Sequence, residues 1–154
     1  MYREVDDHVI PAMEWMTVMM PLLEGGHMLK ICPSGTSMYP FLHGGRDEAF
    51  LCSASGKQLK RGDVVLYVRE DGTHILHRVH HIKGNEFFML GDSHIWIEGP
   101  VDRLSILAVT TYFVRKGRKI QCGNVLYKIL SRIWLIFRPI RPFIFRLRKL
   151  TRTI

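Results

Sequence analysis

The sequence predicts a mainly β domain, a small closed or half-closed barrel with a short N-terminal helix and a basic, amphipathic, helical C-terminal tail. Three observations carry this expectation. Six short runs rich in apolar residues fall at 27–32, 50–52, 63–68, 74–82, 86–90 and 104–114, with glycine-containing turns between most of them. From Val125 the apolar spacing changes to a helical period. Charge is also divided along the chain. Residues 1–102 carry 9 Lys/Arg and 14 Asp/Glu, a net of −5, whereas residues 103–154 carry 13 Lys/Arg and no acid, a net of +13.

Each element follows from local chemistry. Residues 11–24 read as a helix, with Pro11 in its first turn and Gly25-Gly26 as its stop. Pro21 is expected to kink it or end it early. The run 27–32 delivers the chain to a turn at Ser37. Gly44-Gly45, Ser55-Gly56, Asp71-Gly72 and Gly84-Asn85 separate the later strands, and Asp71-Gly72 between Val-rich runs signals a hairpin. In the tail, Leu126, Ile129, Leu130, Ile133, Trp134 and Phe137 share one helical face, with Lys128 and Arg132 on the other. Pro139 and Pro142 break the helix, and 143–150 alternates apolar and basic residues. The expected organisation is a helical lead-in over 1–26, a β-rich domain over 27–118 and the basic amphipathic tail over 119–154.

Bulk properties narrow the class. At 154 residues with 47% hydrophobic and 23% charged content, one domain with a real core is expected. Cys32, Cys52 and Cys122 are odd in number and lack CxxC spacing, which suits small buried hydrophobes rather than a metal site or a disulfide framework. Residues 9–23 are apolar but contain Pro11, Glu14 and Pro21, and lack the basic flank of a secretory signal. In the tail, residues 133–137 are five uncharged positions before Arg138, far short of the roughly 20 a membrane span needs.

The chemistry-bearing residues come in three short motifs. Ser37 lies in Pro33-Ser34-Gly35-Thr36-Ser37-Met38-Tyr39-Pro40, His77 opens His77-Arg78-Val79, and Gly91-Asp92 follows. A serine hydroxyl is a weak nucleophile and needs a base within hydrogen-bond reach. On a strand His77 shares a face with Ile75 and Val79, and partial burial favours the neutral imidazole that a base must be. His74 and His80 fall on the opposite face, so the histidines do not converge on a metal. Gly35 allows a positive φ and close approach of a substrate chain, and the Ser37 backbone N–H is a natural oxyanion donor. Gly62-Asp63 reads as a turn entering a buried strand.

The runs Ser34–Pro40, Gly62–Tyr67, His77–Val79 and Gly91-Asp92 resemble, in order, the successive boxes of type I signal peptidases and the related LexA-type self-cleaving proteins. The histidine before Arg-Val is similar to the endoplasmic-reticulum and spore-former branch, where the bacterial enzymes carry lysine. The resemblance implies a LexA/signal-peptidase-like β-barrel, Ser37 as nucleophile and His77 as general base. It also implies a substrate that adds as an extended strand, with small residues at its −1 and −3 positions. The triad acid falls on Glu98, with Asp92 as the alternative, and Gly91, Asp92 and Arg78 become structural support. Where bacterial enzymes place a serine two before the nucleophile, this chain has Gly35. The loss of one oxyanion donor costs about 10²–10³ in rate unless Thr36, Ser34 or a backbone amide replaces it.

The expected function is thus a serine endopeptidase that removes a leader or signal peptide from a peptide or preprotein, with no cofactor and no metal. The alternative is a catalytically silent or self-cleaving LexA-like domain, in which peptide binding serves regulation. Residues 125–150, with Tyr127, Trp134 and Phe137, are expected to lie on an anionic membrane surface, giving peripheral membrane association, with a cytoplasmic location as the alternative. No nucleic-acid partner is expected, because no reader motif accompanies the charge.

Overall fold

The computed structural model describes residues 12–151. Pro11, the expected first turn of the N-terminal helix, lies outside them. Helix α1 (Ala12–Glu24) runs through Pro21 to Glu24 instead of ending at the proline. It closes with backbone bonds from Gly25 N to Pro21 O (2.9 Å) and from His27 N to Leu22 O (3.0 Å). Leu23, fully buried, pins its end to the sheet.

The sheet contains β1 (Leu29–Ile31), β2 (Glu48–Ser53), β3 (Val64–Val68), β4 (His74–Lys83), β5 (Glu86–Leu90), β6 (Glu98–Asp102), β7 (Ile106–Arg115) and β8 (Arg118–Gln121). All pairings are antiparallel, in the order β1-β2-β7-β3-β4-β5-β6, with β8 added on β7. The 8-stranded sheet is not closed into a barrel, which corrects the sequence expectation. Closure needs two edge strands able to complete a ladder. Here β1 has three residues, and β6 carries Pro100, which has no N–H to donate. Four register shifts, at Phe50/Leu51, Leu66/Tyr67, Val79/His81 and Phe87/Met89, bend the open sheet. The expected division at 118/119 falls inside β8, so the sheet extends to Gln121.

Alternation along β3 builds two cores. Val64 and Leu66 join Leu23, Met38, Leu42, Leu51 and Phe113 on one side. Val65 and Tyr67 join Val79, Phe87, Met89 and Ile106 on the other.

The tail forms two helices. Asn124 caps α2 (Val125–Ile136), its Oδ1 accepting from Leu126 N at 2.8 Å and Tyr127 N at 3.4 Å. After a 3-10 turn over Arg138–Ile140, α3 (Arg141–Thr151) begins with Pro142 in its first turn, so that proline starts a helix as well as ending one. The expected exposed face is corrected in two places. Tyr127 is buried and Trp134 half-buried, both turned to the body, whereas Leu126, Ile129, Leu130, Ile133, Ile136 and Phe137 are exposed. No helix among the described residues is long and apolar enough to cross a membrane.

Candidate active site

Ser37 stands in the irregular segment after β1, and the backbone around it is held from two sides. Gly45 N donates to Pro33 O (2.8 Å), while Met38 and Leu42, both buried, root the turn in the core. Asp47, fully buried, accepts from His43 N (2.8 Å) and from Arg46, which steadies the supporting loop and holds its carboxyl below the usual range against the cost of burial. Gly44 is indispensable here: a Cβ on it would lie 2.1 Å from Gly35 O and 2.7 Å from Ser34 O. From the other side, Ser93 N (2.9 Å) and Ser93 Oγ (3.2 Å) donate to Ser37 O. Gly91 makes that approach possible, since a Cβ there would meet Ser37 O at 2.9 Å and His94 Nδ1 at 2.6 Å.

Gly35 differs from its expected role. It is not among the residues with positive φ, and a Cβ on it would meet only Ser37 N, at 4.0 Å. What Gly35 leaves is open space over the Ser37 amide, which donates no hydrogen bond to any described residue. Ser34, Gly35 and Thr36 are exposed along the rim. The segment lines a groove of about 460 Å³ together with Leu66, His74, Ile75 and Leu76.

His77 is 3% exposed on β4, between Ile75 and Val79 on its face, as the alternation predicted. Burial pushes its pKa down to about 4, helped by neighbouring His94 and opposed by the Glu98 carboxylate. The imidazole is therefore neutral at pH 7. Behind it, Tyr67 Oη lies 3.3 Å from Nδ1 and Glu98 Oε2 lies 3.9 Å from the same nitrogen. Arg69 grips Glu98 through Nε (2.5 Å) and Nη2 (2.6 Å), which lowers the carboxyl pKa further than the Tyr67 hydroxyl does. Burial, with Glu98 nearby, pushes the Tyr67 phenol up.

Of the two acids, Glu98 sits beside His77. Asp92 is fully buried in a bidentate pair with Arg78, whose Nε and Nη2 reach it at 2.8 and 2.7 Å. Arg78 also donates to Gly62 O (2.9 Å) and Tyr127 Oη (3.0 Å), tying β4, the 91–94 loop and α2 into one unit. Trp134 Nε1 donates to Asp92 O (2.7 Å), and Arg141 Nη1 donates to Gly91 O (3.0 Å) and His94 O (2.6 Å).

Ser37 and His77 meet the same loop but not each other. No hydrogen bond joins them among the described residues, yet Ser93 holds Ser37 O and the His94 ring stands edge-on to His77 at 5.4 Å. His94 in turn stacks at 4.0 Å on Trp96, which is 60% exposed. Gly44, Tyr67, Ser93, His94 and Arg141 were not singled out from the sequence. Gly44 carried a turn signal, and Tyr67 lies two residues along β3 from Val65, the register partner of His77. No protein-family model matches this sequence, and no curated protein matches it.

Proposed function

We propose that this chain is a serine endopeptidase of the signal-peptidase type, built on a LexA/signal-peptidase-like fold. The observation that carries the proposal is a buried, neutral His77 backed by Tyr67 and Glu98, next to a loop that grips the Ser37 backbone. A substrate strand enters the groove lined by Ser37, where Ile31, Met38, Leu66 and Leu76 offer apolar surface to small residues at its −1 and −3 positions. Ser37 Oγ adds to the scissile carbonyl carbon while its proton passes to His77 Nε2. The resulting oxyanion accepts from the unengaged Ser37 N–H, with the rim hydroxyls of Ser34 and Thr36 as second donors. Collapse breaks the C–N bond, and the amine leaves with the proton from His77. Water then repeats both steps on the acyl-enzyme.

Glu98 acts through Tyr67. With the phenol donating to Glu98, its oxygen accepts from His77 Nδ1–H, so Nε2 stays unprotonated. Proton transfer also needs Ser37 Oγ within about 3 Å of Nε2, the contact that substrate binding has to complete. Asp92, Gly91 and Arg78 serve as support. The outward apolar face of α2, with no acid after Asp102, supports peripheral association with an anionic membrane surface.

A peptidase of this kind cuts Ala-x-Ala-type precursor peptides, and Ser37→Ala and His77→Ala each reduce that cleavage by several orders of magnitude. Wild-type cleavage left intact by Ser37→Ala sinks the assignment. The missing Ser37–His77 hydrogen bond favours a second reading, a domain that holds peptides without cutting them. Tight peptide binding with no turnover, in buffer or on anionic vesicles, selects it.

A further inference from the structure

Between the turn that precedes β3 and helix α2 lies a second cavity, of about 160 Å³, several times the ~30 Å³ share of a water in the liquid. Four cations rim it, Lys60 and Arg61 from the turn, Lys128 and Arg132 from α2, and none makes an ion pair among the described residues. The acid in the wall, Asp63, turns Oδ2 back to Lys60 N at 2.8 Å. The lining includes Thr110, which is 4% exposed and whose buried Oγ1 has no hydrogen-bond partner among the described residues. A buried hydroxyl with no partner is rare and calls for one. Cys122 adds no negative charge, because burial pushes its thiol up to about 12.

Position relates this cavity to the exposed face of α2. At about 100° per residue, Tyr127, Lys128, Ser131 and Arg132 occupy the arc toward the cavity, and Leu126, Ile129, Leu130 and Ile133 occupy the outward arc. Lys128 and Arg132 stand at the border of the two. Cations at the edge of an apolar face, with their stems along it, suit a helix lying at the lipid headgroup level.

We propose that this cavity binds a phosphate group, and that its source is the headgroup of an anionic phospholipid met when α2 lies in the interface. The site is separate from the groove at Ser37, and its test needs no cleavage. The full chain is partitioned onto phosphatidylcholine vesicles with and without phosphatidylglycerol, and its thermal unfolding is followed with and without inorganic phosphate. Wild type is expected to prefer phosphatidylglycerol and to gain Tm with phosphate. Lys128→Gln with Arg132→Gln lowers the partition onto phosphatidylglycerol about thirtyfold. Thr110→Val, which keeps shape and net charge, lowers it about tenfold and removes the phosphate-induced Tm gain. If Thr110→Val binds like wild type and still gains Tm, only diffuse charge acts and the site is overturned. A Tm gain without any preference for phosphatidylglycerol overturns the lipid source and leaves a free-phosphate site. A fold check by near-ultraviolet circular dichroism accompanies both variants.

Discussion

Burial pushes the His77 pKa down to about 4, so the imidazole stays neutral across the physiological range, the state that the proposed general base needs. The acid limb of kcat/KM is therefore expected well below the ordinary histidine value of about 6.5, measured as a pH–rate profile on a small-residue precursor peptide. A limb at the ordinary value would mean that the site opens to solvent before it reacts. In the proposed relay, Tyr67 sets which nitrogen carries the proton. Tyr67→Phe keeps the packing and removes the hydroxyl, so kcat/KM is expected to fall about tenfold. A readout independent of activity is the ¹⁵N spectrum of the His77 imidazole, which moves from Nδ1–H toward Nε2–H in that variant. An unchanged tautomer removes Tyr67 from the relay even if no peptide is ever cut.

The segment carrying Ser37 has little secondary structure of its own, so its shape belongs to its neighbours. Gly44 lets the 43–47 loop touch Gly35 O, and Gly91 lets the 91–94 loop touch Ser37 O. Gly44→Ala has to displace backbone rather than a flexible side chain. It is expected to lower stability by about 1–3 kcal/mol, read from denaturant unfolding, and to reduce cleavage more than substrate binding. Gly35 does not use the positive φ open to it, for a related reason. A glycine in a turn is compatible with positive φ, but only the surrounding backbone decides whether that freedom is used. Here it provides clearance over an amide. The helical period of α2 was legible from Val125 on, but its inward face was not. Tyr127 and Trp134 bond to Arg78 and Asp92, partners too distant in sequence for periodicity to reveal.

Across the whole molecule, the Arg78–Asp92 pair and Arg141 connect the sheet, the 91–94 loop and both tail helices. His77 adds a pH dependence to that assembly. Its folded pKa lies below its unfolded value, so the unfolded chain binds more protons between about pH 6.5 and 4, and stability falls as pH drops through that window. The loss attributable to this group is about 3 kcal/mol. Urea unfolding at pH 7 and pH 4 is expected to show a correspondingly smaller difference in His77→Phe. An equal difference in both proteins would place the acid sensitivity in other groups.

The strand runs, the Asp71-Gly72 hairpin, the tail helix and the Ser37 and His77 candidates could all be read from the sequence, because each depends on local spacing or on a short motif, whereas Glu98, with Asp92 as alternative, came only from the family resemblance. Alternation along β4 also foretold which residues share His77's face. The tertiary structure alone decided that the sheet stays open, that Arg78 claims Asp92 and that Glu98 lies beside His77 with Tyr67. It alone turned Tyr127 and Trp134 of α2 toward the body. These outcomes depend on edge strands, register shifts and pairings between residues 10 to 49 positions apart, and such contacts leave no periodic trace along the chain.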